Sequence, residues 1–513
     1  MSVKVGVTRG IISLGSARIA TNLLNAASLL VLARLLTPRD FGVVAITTAL
    51  LSVVISSTDM SFQSALIHCR NVTRAHIDTV WSMSFIRAVV IIGFFLFAAI
   101  PLAEVYSSPT ISSSQLVPVL VTAGIGGAFL DFYNPRLAVA TSEMRFGPEV
   151  TFQIAQKLVS LSLAVGLALY FKSFWAIIVG NALGAVTASL LSYFLIPYTP
   201  RFSLARFREI WGFSGWLFLG QLCETMNWRF DNLLIGHAVR KAELGIYSVA
   251  DNVAVIPLRE MAAPIRNSLF PGMASLNVLV ARLRHTYLRA QSALAMVAAP
   301  ASIGLALVAG PAVQVMLGEN WLNCVVFVQI FAVNYAIETF SVLTMPLVMA
   351  MGRTKLLFLT RLPALIVRIP LITLGLLYGG LVGAALGKLI GEVVLLLINL
   401  LIPQLLLDLS AWKQLRSHAM TFVGLAAMSM VLLLAKNPVH DAFRLLPMTE
   451  LLVMSSLGAT VYFGTVFILW IATGKAEGPV SEILGFVRTF LEIGRRSQGA
   501  VGARTRQESL ESP

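Results

Sequence analysis

Fourteen apolar runs of 19 to 29 residues, parted by short polar breaks, leave this chain few possible folds. They fall near 11–36, 41–64, 79–103, 112–135, 147–170, 174–197, 213–237, 245–271, 286–309, 323–351, 357–378, 381–407, 418–436 and 449–473. A hydrocarbon core about 30 Å thick is crossed by about 20 helical residues, and a helix satisfies its own backbone N–H and C=O groups there. A membrane β-barrel needs segments of about ten residues with alternating polarity, unlike these runs. The expected fold is an all-α polytopic membrane protein with about 14 transmembrane helices. Composition agrees: 57% of the 513 residues are hydrophobic and 12% charged, against about a quarter charged in a soluble domain.

The net charge of +14 would suggest nucleic acid in a soluble protein. Here the cations gather in alternate loops. Counted from a cytoplasmic N-terminus, Arg70, Arg74, Arg136, Arg145, Arg201, Arg206, Arg208, Arg282, Arg284, Arg353, Lys355, Lys413 and Arg416 fall inside, while the opposite loops carry Arg39, Lys172, Arg240, Lys241, Lys436 and Arg444 and those near 104–114 and 310–322 hold no Lys or Arg. That asymmetry predicts two cytoplasmic termini, membrane lipids as partners and no nucleic acid. Arg18, Asn22 and Asn25 interrupt the first run, which argues against a cleaved signal peptide. Cys69, Cys223 and Cys324 are scattered and suggest neither a disulfide framework nor a metal site. No Walker A loop, zinc-ligand cluster or nucleophile–base signature stands out, so no cofactor, metal or catalytic residue is expected and the chain is not expected to be an enzyme.

The sequence carries an internal echo. Residues 33–44 align with 236–247, so that Asp40, Phe41 and Gly42 fall on Glu243, Leu244 and Gly245 at an offset of 203 residues. The offset spans six expected helices, an even number, so both copies enter the membrane in the same direction. This predicts a parallel repeat about an axis along the membrane normal, with a site at the interface. The expected units are an N-lobe over 1–200, a C-lobe over 201–410, two additional helices over 411–473 and a cytoplasmic tail over 474–513.

Charges within the runs are the candidate functional groups, because each costs about 2.5–3.5 kcal/mol at bilayer depth unless it meets protein, water or ligand. Arg18 shares a helical face with Thr21, Asn22 and Asn25; it can pair with phosphate oxygens or snorkel to headgroups, and both readings stand. Gln221, Glu224 and Asp231 fall close to one face of the seventh run, with Arg229 pointing elsewhere; a cavity wall and an interhelical hydrogen-bond network both fit. Asn252, Arg259 and Arg266 recur at heptad spacing with Pro257 and Pro264 between them. Arg87, Asp131, Lys157, Glu338, Arg368, Lys388 and Glu392 are further in-run charges. Lys388 and Glu392 lie at i, i+4 and are expected to neutralise each other. Gly383, Gly387 and Gly391 form a ladder that suits close helix packing. Trp211, Trp216, Trp228 and Trp321 suit either sugar stacking or an interfacial belt.

The pattern from Leu32 to Gly42, with Leu36-Thr-Pro-Arg-Asp-Phe-Gly at its end, resembles the polysaccharide transporter family, the Wzx-type flippases of the MOP exporter superfamily. So do Asp231-Asn-Leu-Leu-Ile-Gly236, Leu244-Gly-Ile-Tyr247, Leu269-Phe-Pro-Gly272 and Met351-Gly-Arg-Thr-Lys355. The resemblance covers roughly residues 8–475 and is nearest to colanic-acid and succinoglycan-type exporters. It implies two six-helix lobes forming a V around a central cationic lumen, working by alternating access. The implied substrate is an undecaprenyl-diphosphate-linked oligosaccharide repeat unit, carried to the periplasmic leaflet of the bacterial inner membrane for exopolysaccharide or lipopolysaccharide synthesis. Polysaccharide polymerase or chain-length machinery would be a further partner. The resemblance maps a diphosphate contact most naturally onto Arg18. Arg18, Arg87, Arg259 and Arg368 are thus the candidate substrate-binding cations, and Glu224, Asp231 and Glu338 the candidates for coupling or gating. A cation antiporter of the same superfamily would want an acidic lumen. A membrane polysaccharide polymerase would want a long external loop with catalytic charges.

Overall fold

A computed structural model describes residues 20–59, 66, 72–108, 111–143, 145, 147–211, 215–262, 280–443 and 446–474. Among them no strand forms, and the helices follow the expected runs. They are α1 (Ala20–Leu35), α2 (Pro38–Thr58), α3 (Arg74–Val105), α4 (Ser113–Phe129), α5 (Gly147–Phe171), α6 (Trp175–Leu195) and α7 (Gly215–Ala238). α8 (Lys241–Ala254) continues as a helical stretch over 256–262, and α9 (Val280–Leu307) and α10 (Val325–Glu338) follow. The segment Thr354–Leu407 breaks at Gly380, where φ is 58°. The chain reverses there into α11 (354–379) and α12 (381–407). α13 (Ala419–Phe443) and α14 (Pro447–Ala472) complete the set. Ten described segments are long and apolar enough to cross a membrane by length and composition, the α11–α12 hairpin counting as one. Their outer faces carry large exposed side chains, among them Phe97 at 85%, Phe194 at 84% and Tyr378 at 89%; so wide an apolar belt is stable against lipid and not against water.

Local chemistry sets several helix ends. Thr37 caps α2 in a reciprocal capping box with Asp40, and Pro38 stands in the first turn, where its missing N–H costs nothing. Buried Asp40 also accepts the Phe174 N–H at 3.0 Å, tying the starts of α2 and α6. The expected run over 323–351 divides: α10 ends at Glu338 and a short helix resumes at Thr344. Buried Gln291 of α9 stabilises that break. Its amide donates to the Thr339 carbonyl and its Oε1 accepts the Leu343 N–H at 3.0 Å, so the interrupted backbone stays satisfied inside protein.

In the N-terminal group α3 packs on α4, α5 on α6, and α4 on both α2 and α6. In the C-terminal group α7 packs on the α11–α12 hairpin, and α10 on α8, α9 and the hairpin. The two groups meet along α2, which lies against α7 and α8. At the crossing of α2 and α8 the repeat glycines touch backbone to backbone. A Cβ on Gly42 would sit 1.8 Å from the Lys241 carbonyl oxygen, and one on Gly245 would sit 1.8 Å from the Pro38 carbonyl oxygen. Lys241 and Pro38 are themselves equivalent under the 203-residue offset. The contact therefore has the reciprocity that a two-fold axis produces.

Further ties cross the seam. Ser56 bonds Thr225 at 2.7 Å, and His237 Nδ1 lies 3.0 Å from the Val105 carbonyl oxygen. Fully buried Trp321 donates to the Ala33 carbonyl at 2.8 Å. The connecting segment 196–211 is strapped to α3: Ser203 N–H donates to Ser82 Oγ at 2.8 Å and Arg206 N–H to Thr79 Oγ1 at 3.3 Å. α13 and α14 pair with each other and lean on α9, where Tyr462 donates to the Met296 carbonyl at 2.8 Å.

Candidate functional site

Between the two helical groups lies a cavity of about 420 Å³. Asn22 and Asn25 of α1 and Thr48 of α2 line one side; Arg229, Ser248, Asn252, Arg259 and Glu260 line the other. Asn22, Asn25 and Asn181 also line a second cavity of about 480 Å³ together with Thr21, Gln153, Gln156, Lys157 and Ser160. The two share a wall and carry carboxamides along both. Carboxamides donate and accept at once, which suits the hydroxyls of a sugar.

The helical stretch over 256–262 divides this polar space from an apolar groove. Ile256, Arg259 and Glu260 face the polar cavity, while Pro257 and Met261 line a groove of about 410 Å³. Val297, Pro300 and Gly304 of α9, Met428 and Leu432 of α13, and Met454, Gly458 and Tyr462 of α14 complete that groove.

The candidate cations separate into different environments. Arg18 and Arg266 lie outside the described residues. Arg259 is exposed in the interfacial cavity. Arg87 is consumed by protein: its guanidinium lies 3.1 Å from Asp131 and 3.7 Å from Asp59, and donates to Thr58 Oγ1 at 3.2 Å and the Ile55 carbonyl at 3.1 Å. With 13% side-chain exposure it ties α2, α3 and the 130–132 turn together. Arg368 of α11 packs over Gly391 of α12, its Cγ 3.1 Å from where a Cβ would stand, with Asp231 and Glu392 as its acidic neighbours. Among the described residues its Nε finds no hydrogen-bond partner, nor does Glu392 Oε1.

The acids of α7 build the heart of the C-terminal group. Glu224 accepts from Arg361 Nε at 2.9 Å and from Trp228 Nε1 at 3.1 Å. Two turns on, Asp231 is 1% exposed; its Oδ2 takes Lys388 Nζ at 2.9 Å and the Tyr247 hydroxyl at 3.2 Å, and its Oδ1 takes the Asn232 N–H at 2.9 Å. Lys388 also reaches Asp251 at 2.8 Å, where Tyr335 donates at the same distance. The Lys388 ammonium stands 4.8 Å from the Phe331 ring centre, within cation–π range. Glu338 lies half-buried at the end of α10, with Glu392, Arg361, Glu224 and Arg368 as its charged neighbours.

The expected Lys388–Glu392 pair is replaced by this arrangement. Two carboxylates from α7 and α8 converge on the ammonium, and Glu392, one turn along α12, stands beside Arg368 instead. The glycine ladder packs as expected: Gly383 meets the Gly375 carbonyl and Gly387 the Leu371 carbonyl across the hairpin. Arg229 turns away from the α7 acids into the interfacial cavity. Trp228 stacks one face on Tyr335, ring centres 6.2 Å apart, and stays exposed, whereas Trp321 is enclosed and closed to a sugar; the side chains of Trp211 and Trp216 lie outside the described residues. Among the described residues no cluster of three His, Cys, Asp or Glu side chains could hold a metal ion.

The cavity residues missed from sequence include Thr48, Ser248, Asn181 and, on α5, Gln153, Gln156 and Ser160. Those three of α5, with Lys157, are the ones a periodicity could have shown. They recur at i, i+3, i+4 and i+7, a polar stripe at helical period that was legible but carried only one charge to draw attention.

Residues 31–326 match the model of a family described as polysaccharide biosynthesis protein. The chain is 22% identical over 369 residues to the lipopolysaccharide biosynthesis protein WzxC of Escherichia coli (strain K12), covering 70% of this chain and 73% of that one. It is 22% identical over 358 residues to the succinoglycan biosynthesis transport protein ExoT of Rhizobium meliloti (strain 1021), covering 69% and 71%. Among solved structures, the lipid II flippase MurJ in an inward closed conformation has a similar fold, with a TM-score of 0.73 at 12% identity over 90% of this chain and 99% of that one.

Proposed function

Because this chain belongs to the family described as polysaccharide biosynthesis protein, we propose that it is a flippase of the polysaccharide-transporter group within the MOP superfamily. Its substrate is an undecaprenyl-diphosphate-linked oligosaccharide repeat unit, moved from the cytoplasmic to the periplasmic leaflet of the bacterial inner membrane. The observation that carries this reading is the shared wall at 256–262. A carboxamide-lined cavity with an exposed arginine stands on one side and an apolar groove on the other. A substrate with a hydrated head and a polyprenyl tail needs both at once, each part staying in the medium that solvates it.

The chain is a multi-pass membrane protein. The lobes of this flippase run over 1–200 and 201–410, the pair 411–473 flanks the tail groove, and both termini and the tail from 474 are cytoplasmic. Rocking of the lobes about the α2–α8 crossing alternates access, without covalent chemistry. Arg259, with Arg18, receives the diphosphate. Asp231, Glu224 and Glu338, held by Lys388, Arg361 and Arg368, couple the movement to an ion. Polymerase and chain-length machinery take the product.

In a deletion strain, surface polymer is lost and single lipid-linked repeat units accumulate in the cytoplasmic leaflet, measured by extraction after leaflet-selective labelling. Units reaching the periplasm without polymer would indicate a polymerase instead, and altered drug sensitivity with normal polymer an antiporter.

Arg259 and Arg87 are expected to fail differently. Arg259→Glu leaves membrane abundance unchanged and drops export to about a hundredth, because a charge-assisted contact of about 1.5–3 kcal/mol becomes a repulsion. Arg87→Ala leaves largely buried Asp131 without its cation, with Asp59 exposed beside it, and lowers abundance itself, by about 3 kcal/mol of stability. Immunoblots of membranes beside polysaccharide assays check both; normal export by Arg259→Glu would remove this arginine from the mechanism.

A further inference from the structure

We propose that Arg74, Arg136 and Arg145 form a site for the headgroup phosphate of an anionic glycerophospholipid, at the end of the N-terminal group that the proposed topology places in the cytoplasm. The site shares no lining residue with the cavities between the helical groups and does not depend on the flippase reading.

A cavity of about 510 Å³ opens where α3 begins, where the short helix Arg136–Ser142 follows α4, and where the connecting segment leaves α6. Glu143 is the only acid among its lining residues, and Arg145 reaches it at 4.0 Å, beyond hydrogen-bond distance. Arg74 donates to Thr199 Oγ1 at 3.2 Å, and Arg136 donates to the Pro197 carbonyl at 2.9 Å. A guanidinium has five N–H donors, so these bonds leave several to spare. Buried Asp78 lies 3.7 Å from Arg74, but its other oxygen already takes the Tyr198 hydroxyl at 2.7 Å. Arg74 is also the first residue of α3, where the helix dipole disfavours a cation, and no acid stands in that first turn to offset it.

Arginines at helix ends commonly reach headgroups one by one. Three on one cavity call for a single ligand with several acceptor oxygens, and the planar guanidinium fork matches a phosphate. The surroundings favour lipid as the source. Phe194, 84% exposed, stands at the end of α6, and the connecting segment carries exposed Phe202 and Leu204 among exposed Arg201, Arg206 and Arg208. Aromatic and basic residues interleaved in this way suit the headgroup layer. Val72, Ile77 and Ile196 add an apolar part to the cavity, which glycerol and the first acyl carbons would use and a free phosphate would not. An ethanolamine headgroup would bring its ammonium among the guanidiniums, so the preferred lipid carries a net negative charge, as phosphatidylglycerol does. Bound there, it bridges α3 to the short helix and fastens 197–199, the start of the segment that joins the two helical groups.

The test uses delipidated full-length protein in neutral detergent, with native mass spectrometry counting bound lipid. The probes are dioctanoyl phosphatidylglycerol, dioctanoyl phosphatidylethanolamine and inorganic phosphate as competitor. Wild type should bind phosphatidylglycerol about tenfold tighter than phosphatidylethanolamine, the worth of one charge-assisted contact. Arg136→Gln with Arg145→Gln should remove that preference. Arg145→Gln alone, at a side chain 71% exposed, should lose about threefold and serves if the double variant does not fold. Arg208→Gln, on the same segment but off the cavity, should change nothing. Equal wild-type affinities for the two lipids would overturn the proposal. So would unchanged phosphatidylglycerol binding in the Arg136 and Arg145 variants, which would place the lipid elsewhere, or an equal loss in Arg208→Gln, which would reduce the effect to diffuse surface charge. Displacement of phosphatidylglycerol by an equal concentration of inorganic phosphate would overturn the lipid assignment in favour of a soluble phosphate. None of these outcomes touches the flippase reading, because binding is measured without transport.

Discussion

Lys388→Met is expected to remove most of the folded protein from the membrane. The substitution keeps volume and deletes the ammonium that holds Asp231 at 2.9 Å and Asp251 at 2.8 Å. Breaking a buried pair costs about 3–5 kcal/mol, because the partner charge stays behind in a medium that cannot solvate it. Here two partners stay behind, with Tyr247, Tyr335 and the Asn232 N–H as their remaining donors. The decisive comparison is a triple variant, Lys388→Met with Asp231→Asn and Asp251→Asn. It has no stranded charge, and the asparagine oxygens still accept from both tyrosines. Monodisperse yield and thermal stability in detergent should fall steeply in the single variant and recover in the triple. Export should not recover, if the network couples movement to an ion. A stable single variant would show that the carboxylates shed their charge without cost. Export by the triple variant would reduce the network to a structural role.

Gly42→Val is expected to abolish export while the protein stays folded. The contact it disturbs lies between the helical groups, so each keeps its own packing. An added Cβ would stand 1.8 Å from the Lys241 carbonyl oxygen, a backbone atom that cannot rotate aside, and the helices must separate by about 1.5 Å to restore van der Waals distance. Overpacking of this kind costs about 1–3 kcal/mol. That shifts the balance against the closed seam by about five- to about 150-fold. Gly245→Val should do the same through Pro38, because the contact is reciprocal. A cysteine pair at Tyr106 and His237, whose rings are 6.4 Å apart across the same seam, reports closure by disulfide yield in a background without the native cysteines. Unchanged cross-linking and export in Gly42→Val would mean that the crossing is not part of the moving gate.

The two glycines also mark how far the sequence could be read. Their equivalence was visible from the 203-residue offset, yet nothing in that alignment brings Gly42 to Lys241 or Gly245 to Pro38. Arg87 and Arg259 look alike in sequence, each an arginine well inside an apolar run. One is ringed by Asp59, Asp131, Thr58 and a carbonyl, and the other is open to a cavity. Lys388 had an acid one turn away and an obvious pairing with Glu392. It bonds instead to Asp231 and Asp251, 157 and 137 residues distant. The polar stripe of α5 was available from its period but passed over, since amides announce themselves less than charges do.

What the sequence determined by itself is the class of molecule, helical and membrane-crossing, while its ordered motifs around Gly42, Asp231 and Gly245 resemble those of its family. The class follows from composition, period and spacing, which act within a segment, because in lipid each helix must satisfy its own backbone. The tertiary structure alone decided which charges neutralise one another and which face open space. A buried ion's partner is fixed by distances of a few ångströms between helices far apart in the chain, and local spacing carries no information about those.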